Sequence, residues 1–178
     1  MRILNLGPIA VGTTHSFDRA FDLAFSTEAL EEAHGGPVSA TPWASTCDRL
    51  ERTVLIKSPF PIGVPDVLKR FVAGDSFRMT VRQLGKVDSN KERVLATVEN
   101  KTQFHIIGSK LLRTQSSIEI AWERATGQTD MRAQAKIVAW LPPPIKSIAE
   151  SFVLKIASEN AVAYFRAVAN IMSRDQVR

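Results

Sequence analysis

Apolar and polar residues alternate at every second position through much of the chain, the pattern of strands with one face in a core and one in water. Phe77, Met79 and Val81 oppose Arg78, Thr80 and Arg82; after the polar stretch "KVDSNKE", Val94, Ala96 and Val98 oppose Leu95, Thr97 and Glu99. Beyond Gly108, one face of the next strand carries Leu112, Thr114, Ser116, Ile118, Ile120 and Trp122. A turn at "RATGQTD" leads to a last strand with Met131, Ala133, Ala135, Ile137 and Ala139 on one face. Strands joined by short polar turns predict an antiparallel meander. Upstream, "PVSATPW" and "DRLERTVLIKSPF" read as two more strands about a turn at 45–48, with Leu50, Arg52, Val54 and Ile56 sharing a face. A first strand is expected within residues 9–15.

The period is helical elsewhere. "SFDRAFDLAFSTEALEEAHGG" predicts two short helices, with Ser16 capping the first, Ser26 or Thr27 the second, and Gly35-Gly36 stopping it. Val64, Val67, Leu68 and Phe71 place a short amphipathic helix inside a Pro/Gly-rich connection. After Pro142 to Pro144, about thirty residues run without Gly or Pro and form a long C-terminal helix with two apolar stripes. Ile145, Ile148, Ala149, Phe152, Val153, Ile156, Ala163, Ala167 and Ile171 form the broad one. Leu154, Ala161, Phe165, Val168 and Met172 form the other, on nearly the opposite side. A sheet covers only the first. The second needs the short helices carrying Phe17, Phe21 and Phe25, a membrane, or a protein partner such as a second copy. The fold class is therefore α+β: an antiparallel sheet of about six to seven strands, two short helices after the first strand, and one long terminal helix. A single domain over 1–178 is expected, with its core at about 9–172 and a tail at 173–178.

Composition changes this picture little. The 178 residues suffice for one core, and no run of eighteen apolar residues predicts a membrane span. The N-terminus lacks the pattern of a signal peptide, and the single Cys47 excludes an internal disulfide, so a cytoplasmic or other reducing compartment is expected. The net charge is +5, but residues 1–36 hold two basic and five acidic side chains, so the remainder carries +8. That excess suits an anionic membrane surface, to which the protein would be peripheral. No Lys/Arg block, aromatic RNA-binding pattern or zinc-finger spacing points to nucleic acid.

Three stretches, "FDLAFSTEAL", "PWASTCDRLERTVLIKSPF" and the proline-led terminal helix, carry a family resemblance. In this order they resemble the helix-grip fold of the START-like (SRPBCC) superfamily, and most of all its VASt-type lipid-transfer domains. The resemblance implies a curved sheet wrapped on the long helix, with a cavity between them for a hydrophobic, lipid-like molecule to be bound, transferred or sensed. The polyketide cyclase and dehydrase-like branch shares the element order and implies an enzyme using the same cavity.

The residues add detail. The expected cavity lining is Phe77, Thr114, Ser116, Ile118, Ala133 and Ala135 on the sheet, with Phe152, Ile156, Ala163 and Ala167 on the helix. Ala133, Ala135 and Ala139 leave room for a ligand or for a close helix. Thr114 and Ser116 on an apolar face call for water, a polar ligand head or backbone partners. Arg52 shares a face with Leu50, Val54 and Ile56; it is placed to contact an anionic head group, or at the sheet edge with its own head in water. Phe60, Ile62 and Val64, with Lys69 and Arg70, make either a membrane-facing lid or a loop capping the core. Bulky Phe77, Trp122, Phe152 and Phe165 allow a third reading, an adaptor whose cavity is filled. Catalytic chemistry finds no pattern. His15, His34 and His105 lack metal-ligand spacing, Cys47 lacks a nucleophile signature, and Glu119 and Glu123 fall on the outer face. No metal or cofactor is expected.

Overall fold

The computed structural model describes residues 2–46, 49–59, 66–70, 76–105, 112–139 and 145–177. Alternating patterns become strands where expected: β4 (Arg49–Pro59), β5 (Ser76–Ser89), β6 (Arg93–Phe104), β7 (Leu112–Glu123) and β8 (Gln128–Ala139). Each pairs antiparallel with the next, β4 with β5 included although helix α3 (Asp66–Lys69) lies between them in the chain. The β5–β6 hairpin is longer than the polar stretch suggested. β5 runs on to Ser89, because paired backbone satisfies its polar groups even where Lys86 and Asp88 are exposed.

The first strand differs more. β1 (Arg2–Gly12) begins earlier than predicted and pairs with β8, with a register shift between Leu6 and Ile9. Gly7 and Pro8 stand at that shift. Proline lacks a donor and glycine lacks a side chain, so both break the alternation that would have announced the strand. Two short strands, β2 (Val38–Ala40) and β3 (Ala44–Thr46), both pair with β4. β3 takes up part of the stretch read as a turn at 45–48; residues 47 and 48, Cys47 among them, lie outside the described residues. The resulting order is β1-β8-β7-β6-β5-β4-β2, with β3 beside β4.

The chain therefore leaves β1 at one edge and returns in β2 near the other. Helices α1 (Phe17–Ala24) and α2 (Thr27–His34) make that crossing. Their starts follow from the sequence: Ser16 Oγ accepts from Arg19 N at 3.4 Å and Ser26 Oγ from Ala29 N at 3.1 Å. Gly35 closes α2 in the left-handed region at φ 64°, and Gly36 passes so close to β4 that a Cβ there would lie 2.1 Å from Lys57 O.

The terminal helix α4 (Ile145–Gln176) packs on α2, α1, β8 and β1. From Tyr164 on, both apolar stripes are covered: Phe165, Ala167, Val168, Ile171 and Met172 join one core with Ala20, Phe21, Leu23, Ala24 and Phe25 of the α1 segment and with Ala29, Leu30 and Ala33 of α2. Burial of Phe165, Val168 and Met172 stabilises the docking by about 1.5–3 kcal/mol each. Around this contact Arg19 pairs with Asp175, Arg174 with Glu28 and Glu32, and Tyr164 Oη donates to Ala24 O at 2.7 Å. The second stripe's cover is thus the pair of short helices. A protein partner has no surface to dock on at Phe165, Val168 or Met172, which the chain itself has already desolvated.

Candidate ligand site

Strand alternation turns Leu50, Arg52, Val54 and Ile56 of β4 toward α4, and the register carries that face across the sheet. Arg52 stands opposite Gln83, Gln83 opposite Asn100, and Asn100 opposite Ser116. These four side chains form one hydrogen-bonded row across four strands. Arg52 Nε donates to Gln83 Oε1 at 2.6 Å, Gln83 Nε2 to Asn100 Oδ1 at 2.8 Å, and Asn100 Nδ2 to Ser116 Oγ at 3.4 Å. Arg52, Gln83 and Asn100 are buried, and Ser116 is half-buried.

Burying a guanidinium is costly unless its charge finds compensation. Among the described residues no carboxylate pairs with Arg52. Its other contacts are neutral: Nη2 donates to Phe25 O at 2.7 Å, and the planar head lies 4.4 Å over the Trp43 ring and 5.9 Å from that of Phe25. Phe25 ends α1, so the cation meets the negative end of a helix. The ring faces add further attraction. Burial still pulls the Arg52 pKa below the ordinary arginine value. Tyr164, fully desolvated beside it, has its hydroxyl pushed well above the usual phenol range by burial, and the nearby guanidinium only partly opposes that.

Burial on the inner face varies from strand to strand and along α4. Toward the β6 start, Ala96, Val98, Ile120 and Met131 are fully buried. Toward the α4 start, Val54, Ile56, Met79 and Val81 of β4 and β5 are buried, while Thr102, Phe104 and Thr114 of β6 and β7 remain half-buried although alternation turns them inward. On α4, none of the described side chains from 147 to 163 is buried. Phe152, Ile156 and Ala163 are half-buried, whereas Ile148 and Val162 keep 44% and 45% of their surface. From Tyr164 on, α4 therefore lies in a closed core. Before it no described residue of the helix is buried, and Thr102, Phe104 and Thr114 at the end of the sheet where α4 begins are half-buried.

Of the expected lining, Thr114, Phe152, Ile156 and Ala163 are half-buried, Ser116 stands in the row itself, and Ile118, opposite Val98, packs against the closed core. Ala167 does not; it is 2% exposed within the closed core under α2. Phe77, Ala133 and Ala135 hold strand positions opposite Ser58, Ile118 and Ser116, and their side chains lie outside the described residues. Arg52 is neither at an edge nor in water: the α1 corner and Trp43 cover it. Phe60, Ile62 and Val64 lie outside the described residues, while Lys69 and Arg70 are exposed at the end of α3, Lys69 pairing with Asp66 at 2.8 Å. Gln83, Asn100, Trp43 and Tyr164 were missed. Gln83 and Asn100 did carry a signal, since each interrupts an apolar phase led by Val81 and Val98.

Among the described residues, three buried polar atoms lack a hydrogen-bond partner: His34 Nδ1, Trp122 Nε1 and Thr129 Oγ1, the last two on residues opposite each other in β7 and β8. Among the described residues no His, Cys, Asp and Glu side chains cluster as metal ligands, and no helix is long and apolar enough to cross a membrane.

No family model matches the chain, and no curated protein matches it. Among solved structures it is similar to a conserved protein from Geobacillus kaustophilus, at 9% identity and a TM-score of 0.43, over 97% of this chain and 93% of that one. A likeness of that size adds nothing to the reading of the site.

Proposed function

We propose that the chain binds a hydrophobic, lipid-like molecule between the sheet and the N-terminal half of α4, as a helix-grip carrier or sensor of the START-like kind. The observation that carries this reading is the contrast along α4: a closed core from Tyr164 onward, and half-buried inward-facing residues before it. A chain selected only for stability would gain from packing both halves to the same density. The polar row at the boundary suits the head of an amphiphile, whose tail would lie along Thr114, Phe152 and Ile156. Pockets of this type are mostly apolar, with a few placed polar groups that fix orientation.

Native mass spectrometry and organic extraction of the purified protein test this directly, followed by transfer of the extracted lipid between donor and acceptor vesicles. A co-purifying amphiphile is expected. Thr114→Trp adds bulk where Thr102 and Thr114 face each other half-buried, and should lower its occupancy by about tenfold with unchanged circular dichroism. A protein that emerges empty and takes up no lipid class would instead be the adaptor with a filled interior.

A further inference from the structure

The row from Arg52 to Ser116 also divides the strands by charge. On the side where α4 begins, Lys57, Arg78, Arg82 and Lys101 are exposed on the outer face of β4, β5 and β6. Arg2, Arg113 and Lys136 hold register positions at the same end of β1, β7 and β8. No Asp or Glu occupies any described strand position on this side. On the other side of the row the strands carry four basic residues against six acidic ones, Glu51, Asp88, Glu99, Glu119, Glu123 and Asp130. Among the described residues, Arg82 alone reaches across, to Glu51 at 2.5 Å. In the connection between β4 and β5, Lys69 is paired with Asp66, and Arg70 adds one exposed cation to the basic end.

We propose that this basic end is a docking surface for an anionic lipid bilayer. Cations near such a surface gain from its negative potential, and a one-signed field orients the approach. Two features favour a bilayer over a nucleic acid. Leu55, exposed at 52% on β4, shares the outer face with these charges, and Ile148, exposed at 44%, lies in the first turn of α4 at the same end; both can enter the headgroup layer. The same end is also the one from which the first half of α4 runs, where no described side chain of the helix is buried. The surface does not depend on the ligand reading, because a chain that carries nothing would dock equally well.

Sedimentation of the full chain with vesicles tests the proposal. Phosphatidylcholine vesicles with about one third phosphatidylserine should bind it, and pure phosphatidylcholine should not. Raising the salt from about 0.1 M to about 0.5 M should weaken binding at least tenfold. The combined variant Lys57→Glu, Arg78→Glu, Lys101→Glu should lose about tenfold or more in affinity, whereas Lys86→Glu, Arg93→Glu, Arg132→Glu at the opposite end should not. Thermal melts confirm that both variants fold; if the first does not, Lys101→Gln and the salt and composition series on the unaltered protein still decide. Equal binding to both vesicle types, equal loss in both variants, or an oligonucleotide duplex that outcompetes anionic vesicles would each overturn it. Native mass spectra of the variants keep the two ideas apart, since lipid occupancy should not change with the outer charges.

Discussion

A single guanidinium ties the sheet to the helical corner. Arg52 holds Gln83 on its own sheet, the last carbonyl of the α1 segment, and the face of Trp43. Replacing it has two opposed effects. An apolar residue of similar length removes the cost of burying a charge, which can make such replacements neutral or better. It also leaves Phe25 O and Gln83 Oε1 without a donor, at about 1–3 kcal/mol each. No carboxylate is left behind to regain solvation, so the orphaned acceptors should decide the sign. Arg52→Met is expected to destabilise by about 2 kcal/mol in urea denaturation. Adding Gln83→Leu should return part of the loss, because one orphan disappears with its side chain. Full additivity of the two losses would mean that the row is not coupled. The site's polar members were only half legible in the sequence for a physical reason. A Gln or Asn in an apolar phase marks an interruption, but only register shows that 52, 83, 100 and 116 stand in line.

At the level of elements, legibility followed periodicity. β4 to β8 bury one face each and α4 carries two apolar stripes, so their periods show; β1 hid behind Gly7-Pro8, and β3 is too short to have a period. The cover of α4's second stripe could not be read either, because contact between residues 17–33 and 164–172 is set by tertiary packing rather than by either segment's pattern. The end of α2 gives this packing a measurable consequence. His34 stands in the last turn, where a helix end ordinarily favours a cation. Burial wins instead: its pKa is pushed down to about 4, and Nδ1 has no partner. A folded-state pKa below the unfolded one means that the unfolded chain binds the proton first as pH falls. The stability is complete above about pH 6.5 and is lost progressively down to about pH 4, by up to about 3 kcal/mol. Chemical denaturation from pH 7.5 to 5 should show stability rising with pH, and His34→Leu should remove much of that slope. An unchanged slope in the variant would place the titrating group elsewhere.

For the whole molecule, the two halves of α4 predict two stabilities. Residues 164–172 belong to a core that cannot open without separating α1, α2, β1 and β8, so their amides should exchange only through global unfolding. Residues 147–160 run along a helix with no buried side chain among those described, and part of that segment can fray while the rest stays docked. Local opening scales with the apolar contact that must be broken, and here it is small. Deuterium uptake followed by mass spectrometry of α4 peptides should therefore show the first half exchanging at least about tenfold faster than the second. Adding the co-purified amphiphile should slow the first half alone, because binding stabilises only the states that hold the ligand. Uniform protection along α4 without ligand would mean that the interface is packed throughout, and the carrier reading would lose its main support. Protection gained only beyond Tyr164 would move the site under the short helices, where Ala167 was first expected to line it.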